Sequence, residues 1–169
     1  MSSFVQVAAK RTLGALLMLA LGAALAGCGV NNIPTYEQAA KAKWADVQSA
    51  YQRRADLIPN LVETVKGFAA QESKVLVDVV EARAKATAPQ IKLPEGAAPS
   101  LDQMKQIQGA QNELSSALGR LLVTVERYPE LKSNQNFLQL QSQLEGTENR
   151  INVVRADYND AVRRYKQRV

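Results

Sequence analysis

The chain has 169 residues, a length that fits one domain, with 21 Lys and Arg against 16 Asp and Glu, a single cysteine, one tryptophan and no histidine. The lack of histidine excludes His-based acid–base chemistry, Ser–His triads and His-ligated metals, and one cysteine excludes an intrachain disulfide. Basic residues alternate with acidic ones and aromatic side chains are few, which argues against a nucleic acid partner.

Lys10-Arg11 precede an uncharged, Leu- and Ala-rich run from Thr12 to Ala24, followed by Leu25-Ala26-Gly27-Cys28. A basic flank, a short apolar run and small residues before a cut form a signal-peptide pattern. The Leu-Ala-Gly-Cys ending resembles the bacterial lipobox. That resemblance implies a covalent lipid on the Cys28 thiol, cleavage after residue 27, and a lipidated tether over residues 28–34. It also places the mature chain at the envelope, outside the cytoplasm. By resemblance to lipoprotein sorting signals, Gly29 rather than Asp after the cysteine implies the periplasmic face of the outer membrane in a cell that has one. Removal of residues 1–27 leaves nineteen basic against sixteen acidic side chains, a small positive balance. The alternative is an uncleaved single-pass inner-membrane helix, since residues 12–35 are uncharged and long enough to span. Gly27, Gly29, Asn31, Asn32 and Pro34 make a poor second half for such a helix.

Thr35-Tyr-Glu-Gln38 fits a capping box and predicts a helix start. From there Trp44, Val47, Tyr51, Ile58, Leu61, Val65, Phe68, Val75, Val79 and Ala82 keep a 3–4 spacing, the pattern of one buried helix face. Arg54 and Glu72 fall on that same stripe. Pro59 lies inside the run and predicts either a kink or a full reversal. On the opposite face Arg53, Asp56, Asn60, Glu63 and Gly67 also follow 3–4 spacing. A solvated face with local ion pairs accounts for the charged members. Asn60 and Gly67 are poor helix formers, which makes a partner surface the competing reading.

Thr87 to Ser100, with Pro89, Pro94, Gly96 and Pro99, reads as a linker. Ser100-Leu-Asp-Gln103 is a second capping box. Met104, Ile107, Gln111, Leu114, Leu118, Leu121, Val125 and Tyr128 then form a second stripe, stopped by Pro129. After a turn over Glu130–Asn134, a third stripe runs from Phe137 through Leu144, Ile151 and Tyr158 to Tyr165. Stripes sustained over several heptads predict long helices packed as in a coiled coil, hence an all-α, up-and-down antiparallel bundle. Gly109, Gly119 and Gly146 inside these helices predict close helix approach.

The block Tyr51-Gln-Arg-Arg-Ala-Asp-Leu-Ile-Pro-Asn-Leu-Val-Glu-Thr-Val-Lys-Gly67, with Trp44 upstream, resembles the signature of the LemA family of bacterial envelope proteins. Arg127-Tyr-Pro-Glu-Leu-Lys132, Leu144-Glu-Gly-Thr-Glu-Asn-Arg150 and Asp157-Tyr-Asn159 extend the resemblance over nearly all of residues 35–169. Val30 stands where the family usually has Tyr, and Gln71-Glu72 where it often has His-Glu. The chain stops at Val169, before the family's Phe-Pro-rich tail. The resemblance implies a membrane-tethered helical bundle outside the cytoplasm whose molecular activity is unresolved.

The expected function is an interaction or scaffold module held at a membrane by its lipid, with a protein partner in the envelope and neither cofactor nor catalysis. Two alternatives remain: a carboxylate-only metal site from Glu63, Glu145 and Glu148, and an amphipathic protein that remodels membranes. Arg54, on a seam, is expected to pair with Glu148 or Glu145 from another helix. Equal lengths of Asn60–Ala86 and Leu101–Arg127 predict a hairpin that returns Tyr128–Asn134 to the level of Pro59. Arg53, Asp56, Asn60, Glu63, Arg127, Glu130 and Lys132 would then share one patch.

Overall fold

A computed structural model describes residues 32–91 and 99–167. The signal segment, Cys28 and the centre of the linker lie outside these residues. Helix α1 spans Asn32–Ala69, a 3-10 turn covers Ala70–Glu72, and α2 spans Ser73–Ile91. Helix α3 spans Leu101–Val125, the single turn α4 covers Pro129–Lys132, and α5 spans Gln135–Lys166. The fold is all-α, as the stripes predict. The four long helices run up, down, up and down, with α1 packed between α5 and α2, and α3 packed on α2.

Helix α1 starts at Asn32, so Thr35 lies within the helix rather than capping it, and Asn32–Pro34 form its first turn instead of a tether. The second capping box forms as expected. Gln103 N–H donates to Ser100 Oγ at 3.2 Å, and Ser100 N–H donates to Gln103 Oε1 at 2.8 Å. Asn134 caps α5 by accepting the Phe137 N–H at 3.1 Å.

Pro59 neither reverses nor ends α1, which continues to Ala69. A proline removes the N–H that would bond the carbonyl four residues earlier, and a helix interior loses about 3 kcal/mol to it. That carbonyl belongs to Ala55, which is buried, and Arg83 Nε–H from α2 donates to it at 2.7 Å. The missing donor is thus supplied by a side chain of the neighbouring helix, and the defect in α1 becomes a docking point for α2. The chain reverses ten residues after Pro59, at the 3-10 turn; ten residues correspond to about 15 Å of helix.

The core has two parts. The upper cluster gathers Ile58, Leu61, Val65, Val79, Leu114, Leu121, Leu131 and Phe137. The lower one gathers Trp44, Val47, Tyr51, Ile107, Ile151, Val154 and Tyr158. Phe68, expected in the stripe, is exposed because the buried face of α1 passes from Val65 to Ala69, and Leu131, in the short turn α4, is fully buried. A Cβ added at Gly109, Gly119 or Gly146 would meet no atom within 4 Å, so these glycines do not serve close helix approach.

The Pro59 arrangement makes a double-mutant cycle informative. Arg83→Ala leaves a buried carbonyl unsatisfied and should cost about 1–3 kcal/mol in chemical denaturation. In a Pro59→Ala background the restored N–H takes that carbonyl, and the cost of Arg83→Ala should fall clearly. Equal costs in both backgrounds would show that Arg83 does not compensate for Pro59.

Candidate functional site

Arg54 stands between the two apolar clusters with 2% of its surface exposed. Its side chain is long enough to reach two other helices, and each polar end finds a partner there. Nη1 donates to Glu148 Oε2 on α5 at 2.6 Å and to Ser115 Oγ on α3 at 3.0 Å. Nη2 donates to Gln111 Oε1 and lies 3.4 Å from the Gln111 carbonyl oxygen. Gln111 is itself buried and passes the connection on, its Nε2 donating to the Ala86 carbonyl of α2 at 3.2 Å. One layer of side chains therefore ties all four long helices together. The guanidinium also lies 5.8 Å from the centre of the Tyr51 ring. Burial raises the Tyr51 hydroxyl above its usual pKa, and the positive charges of Arg155 and Arg54 oppose that rise. Among the described residues Arg54 Nε and Trp44 Nε1 find no acceptor.

Of the two carboxylates expected to reach Arg54, Glu148 is the one bonded to it. Glu145 accepts from Gln141 on its own helix at 3.0 Å. The pair is asymmetric, because the Glu148 side chain is 46% exposed. Glu63 lies on the outer face of α1, 4.0 Å from Lys66. Glu63, Glu145 and Glu148 do not form a metal site, and among the described residues no three His, Cys, Asp or Glu side chains come together in a metal-holding group.

The seven residues expected to share one patch fall in two places. At the bundle tip Arg127 bonds Glu72 at 2.9 Å, Tyr128 Oη donates to the same carboxylate at 2.7 Å, and Gln71 Nε2 donates to Tyr128 Oη at 3.0 Å. The hydrogen bond to Glu72 raises the Tyr128 hydroxyl above its usual pKa. Lys132 pairs with Glu126 in the same turn, and Glu130 is exposed beside it. Along α1, Arg53 is exposed, Asp56 accepts from Gln52 at 2.7 Å, and the Asn60 carbonyl accepts from Thr64 at 2.8 Å. Asn60 and Glu63 border a shallow groove of about 450 Å³, whose other wall is α5 with Asn136, Gln139, Leu140 and Gln143.

The separation has two causes. Helix α1 runs on past Pro59, and the α2–α3 hairpin is offset from the register that equal lengths imply. Lys85 meets Glu113 at 2.6 Å and Arg120 meets Asp78 at 4.0 Å, so Arg127 arrives at Glu72 rather than at Asn60. Gln111, Ser115 and the Ala55–Arg83 contact were not singled out in the sequence. Gln111 carried a signal, a polar residue on an otherwise apolar stripe.

These features define an elongated antiparallel bundle in which the buried Arg54 and Gln111 bond helix to helix and the polar groove between α1 and α5 is open and shallow. The chain matches the LemA family over residues 43–169 and belongs to it. It is similar to two magnetosome proteins of Paramagnetospirillum magneticum, MamQ 1 and MamQ 2, at 28% identity over 80% of this chain and 55% of each relative. Magnetosome protein MamQ of Magnetospirillum gryphiswaldense is 26% identical over the same shares. The chain thus spans about half the length of the curated relatives it matches.

Replacement of Arg54 should separate its role from that of Glu148. Arg54→Ala should cost about 3 kcal/mol or more, since it removes the shared donor of Gln111 and Glu148 and leaves a void between two cores. Glu148→Ala should cost less, about 1–2 kcal/mol, because the half-exposed position admits water to the guanidinium. An unchanged melting curve for Arg54→Ala would contradict the burial of this side chain.

Proposed function

We propose that the protein is a membrane-tethered interaction module of the bacterial envelope that acts by binding another protein and not by catalysis. Family membership and relatives designated as magnetosome proteins support a membrane-associated, scaffold-like role. The finer reading is a lipoprotein whose Cys28 carries the lipid and whose bundle stands outside the cytoplasm. No described helix is long and apolar enough to cross a membrane. The apolar stripes are buried in helix seams, which disfavours a broad lipid-facing surface that would remodel membranes.

The observation that carries the binding reading is the groove between α1 and α5. Asn60, Asn136, Gln139 and Gln143 line it with amide groups that point to no buried purpose in the bundle. An open, shallow groove suits contact with a protein surface better than enclosure of a small substrate. The partner surface is therefore assigned to Asn60 and Glu63 with the α5 wall. Arg127, Glu130 and Lys132 at the tip form a second, separate candidate.

Photo-crosslinking in cells tests the assignment. A crosslinker at Asn60, Glu63 or Gln139 should yield one defined protein adduct, and the same group at exposed Val153 should not. Equal adducts from all four positions would overturn the groove. Cys28→Ser should abolish palmitate labelling and leave the precursor uncut; a mature N-terminus still at residue 28 would overturn the lipoprotein.

A further inference from the structure

The end of the bundle at which α1 begins differs in charge from the rest. Over residues 53–85 and 113–150, ten basic side chains are matched by ten acidic ones. Over residues 35–46, 100–105 and 155–167, seven basic side chains face five acidic ones. These last stretches share the end at which α1 begins, as the 3.0 Å bond from Lys43 to Asp157 requires. The last turn of α5 contributes Arg163, Arg164 and Lys166, all exposed. Arg163 meets Asp160, while among the described residues Arg164 and Lys166 form no ion pair.

A cavity of about 560 Å³ opens between the same three helix ends. Met104, Tyr158, Val162 and Tyr165 give it an apolar and aromatic lining, and Lys41 and Lys166 stand at its border with Glu37, which pairs with Lys41 at 2.7 Å. A border with two ammonium groups against one carboxylate, over an apolar hollow, matches a phospholipid at its interface, with the phosphate outside and the glycerol and first methylenes within.

The position of the outlying chain says which surface this end meets. Cys28 precedes Asn32 by four residues, which reach at most about 14 Å even when fully extended. Attraction to an anionic surface persists over a Debye length of about 8–10 Å. An anchor at Cys28, or a span ending just before Asn32, therefore keeps Asn32 within about one to two Debye lengths of the bilayer surface even at full extension.

We propose that this end of the bundle is a docking surface for anionic phospholipid in the bilayer. Lys41, Arg163, Arg164 and Lys166 contact headgroup phosphates, and the cavity takes the glycerol–acyl junction of one lipid. Docking fixes the angle at which the bundle stands on the membrane, so lipid composition controls where its far end points. The inference rests on the membrane anchor proposed above.

Hydrogen exchange of the full chain in nanodiscs tests it. Discs of phosphatidylcholine alone are compared with discs that also hold phosphatidylglycerol. Amides of residues 35–43 and 160–167 should exchange several-fold more slowly in the anionic discs, and residues 126–134 at the tip should not change. High salt, or the triple variant Arg163→Gln, Arg164→Gln, Lys166→Gln, should remove the difference. Identical exchange at the basic end in both kinds of disc, or slowing that survives the triple variant, would overturn the docking alone. A chain that fails to enter neutral discs would overturn the anchor and the docking with it.

Discussion

A single buried arginine sets the terms on which the four helices meet. Arg54 carries a charge at a seam position, where desolvation costs several kcal/mol unless partners meet it. Its partners come from α3 and α5, and through Gln111 the bond reaches α2. Sliding α5 by one turn, about 5.4 Å, would take Glu148 out of reach. The apolar seams on either side tolerate such a slip far better, because contacts between aliphatic side chains are not directional. The polar layer thus contributes register more than net stability, the role best attested for buried polar groups in helical bundles. Lys43–Asp157 below it and Lys85–Glu113 beside it repeat the same alignment at the surface, where each adds little by itself.

With that register fixed, the ends of the bundle acquire distinct characters. Helix α1 runs for 38 residues, about 57 Å, from the basic end to the tip. The tip is closed by Glu72, which accepts from Arg127 and Tyr128 and joins the α1–α2 turn to the start of α4. Between the ends, the shallow α1–α5 groove presents amides to solvent. Under the proposed anchor this layout would have a direction, with lipid at one end and the proposed contact surfaces along and beyond the shaft.

Much of this was legible in the residues, for identifiable reasons. The 3–4 stripes located the buried faces because burial of an amphipathic helix leaves that period in the sequence. Ser100 and Gln103 announced the start of α3 because a capping box is local. Arg54 was legible as a charge on an apolar stripe, and Glu148 as a carboxylate one position from the facing seam. Pro59 misled, because the donor that repairs its helix is Arg83, on another helix and far away in sequence. The hairpin register misled as well. Equal segment lengths say nothing about axial offset, and pairs such as Lys85–Glu113 set it only in three dimensions. With that register Arg127 bonds Glu72 rather than a residue beside Asn60. Glycine inside a helix does not by itself mark a helix contact: the Cβ positions at Gly109, Gly119 and Gly146 are open.

The central claim is that the Arg54 layer joins two apolar cores into one cooperative unit. Differential scanning calorimetry of the wild-type chain and of Arg54→Met tests it most directly. The wild type should melt in one transition with equal calorimetric and van't Hoff enthalpies. Methionine keeps the unbranched apolar stem of the side chain and removes its bonds to α3 and α5, so the variant should melt in two resolved steps, one for each core. A single two-state transition in Arg54→Met, or two steps already in the wild type, would contradict the claim.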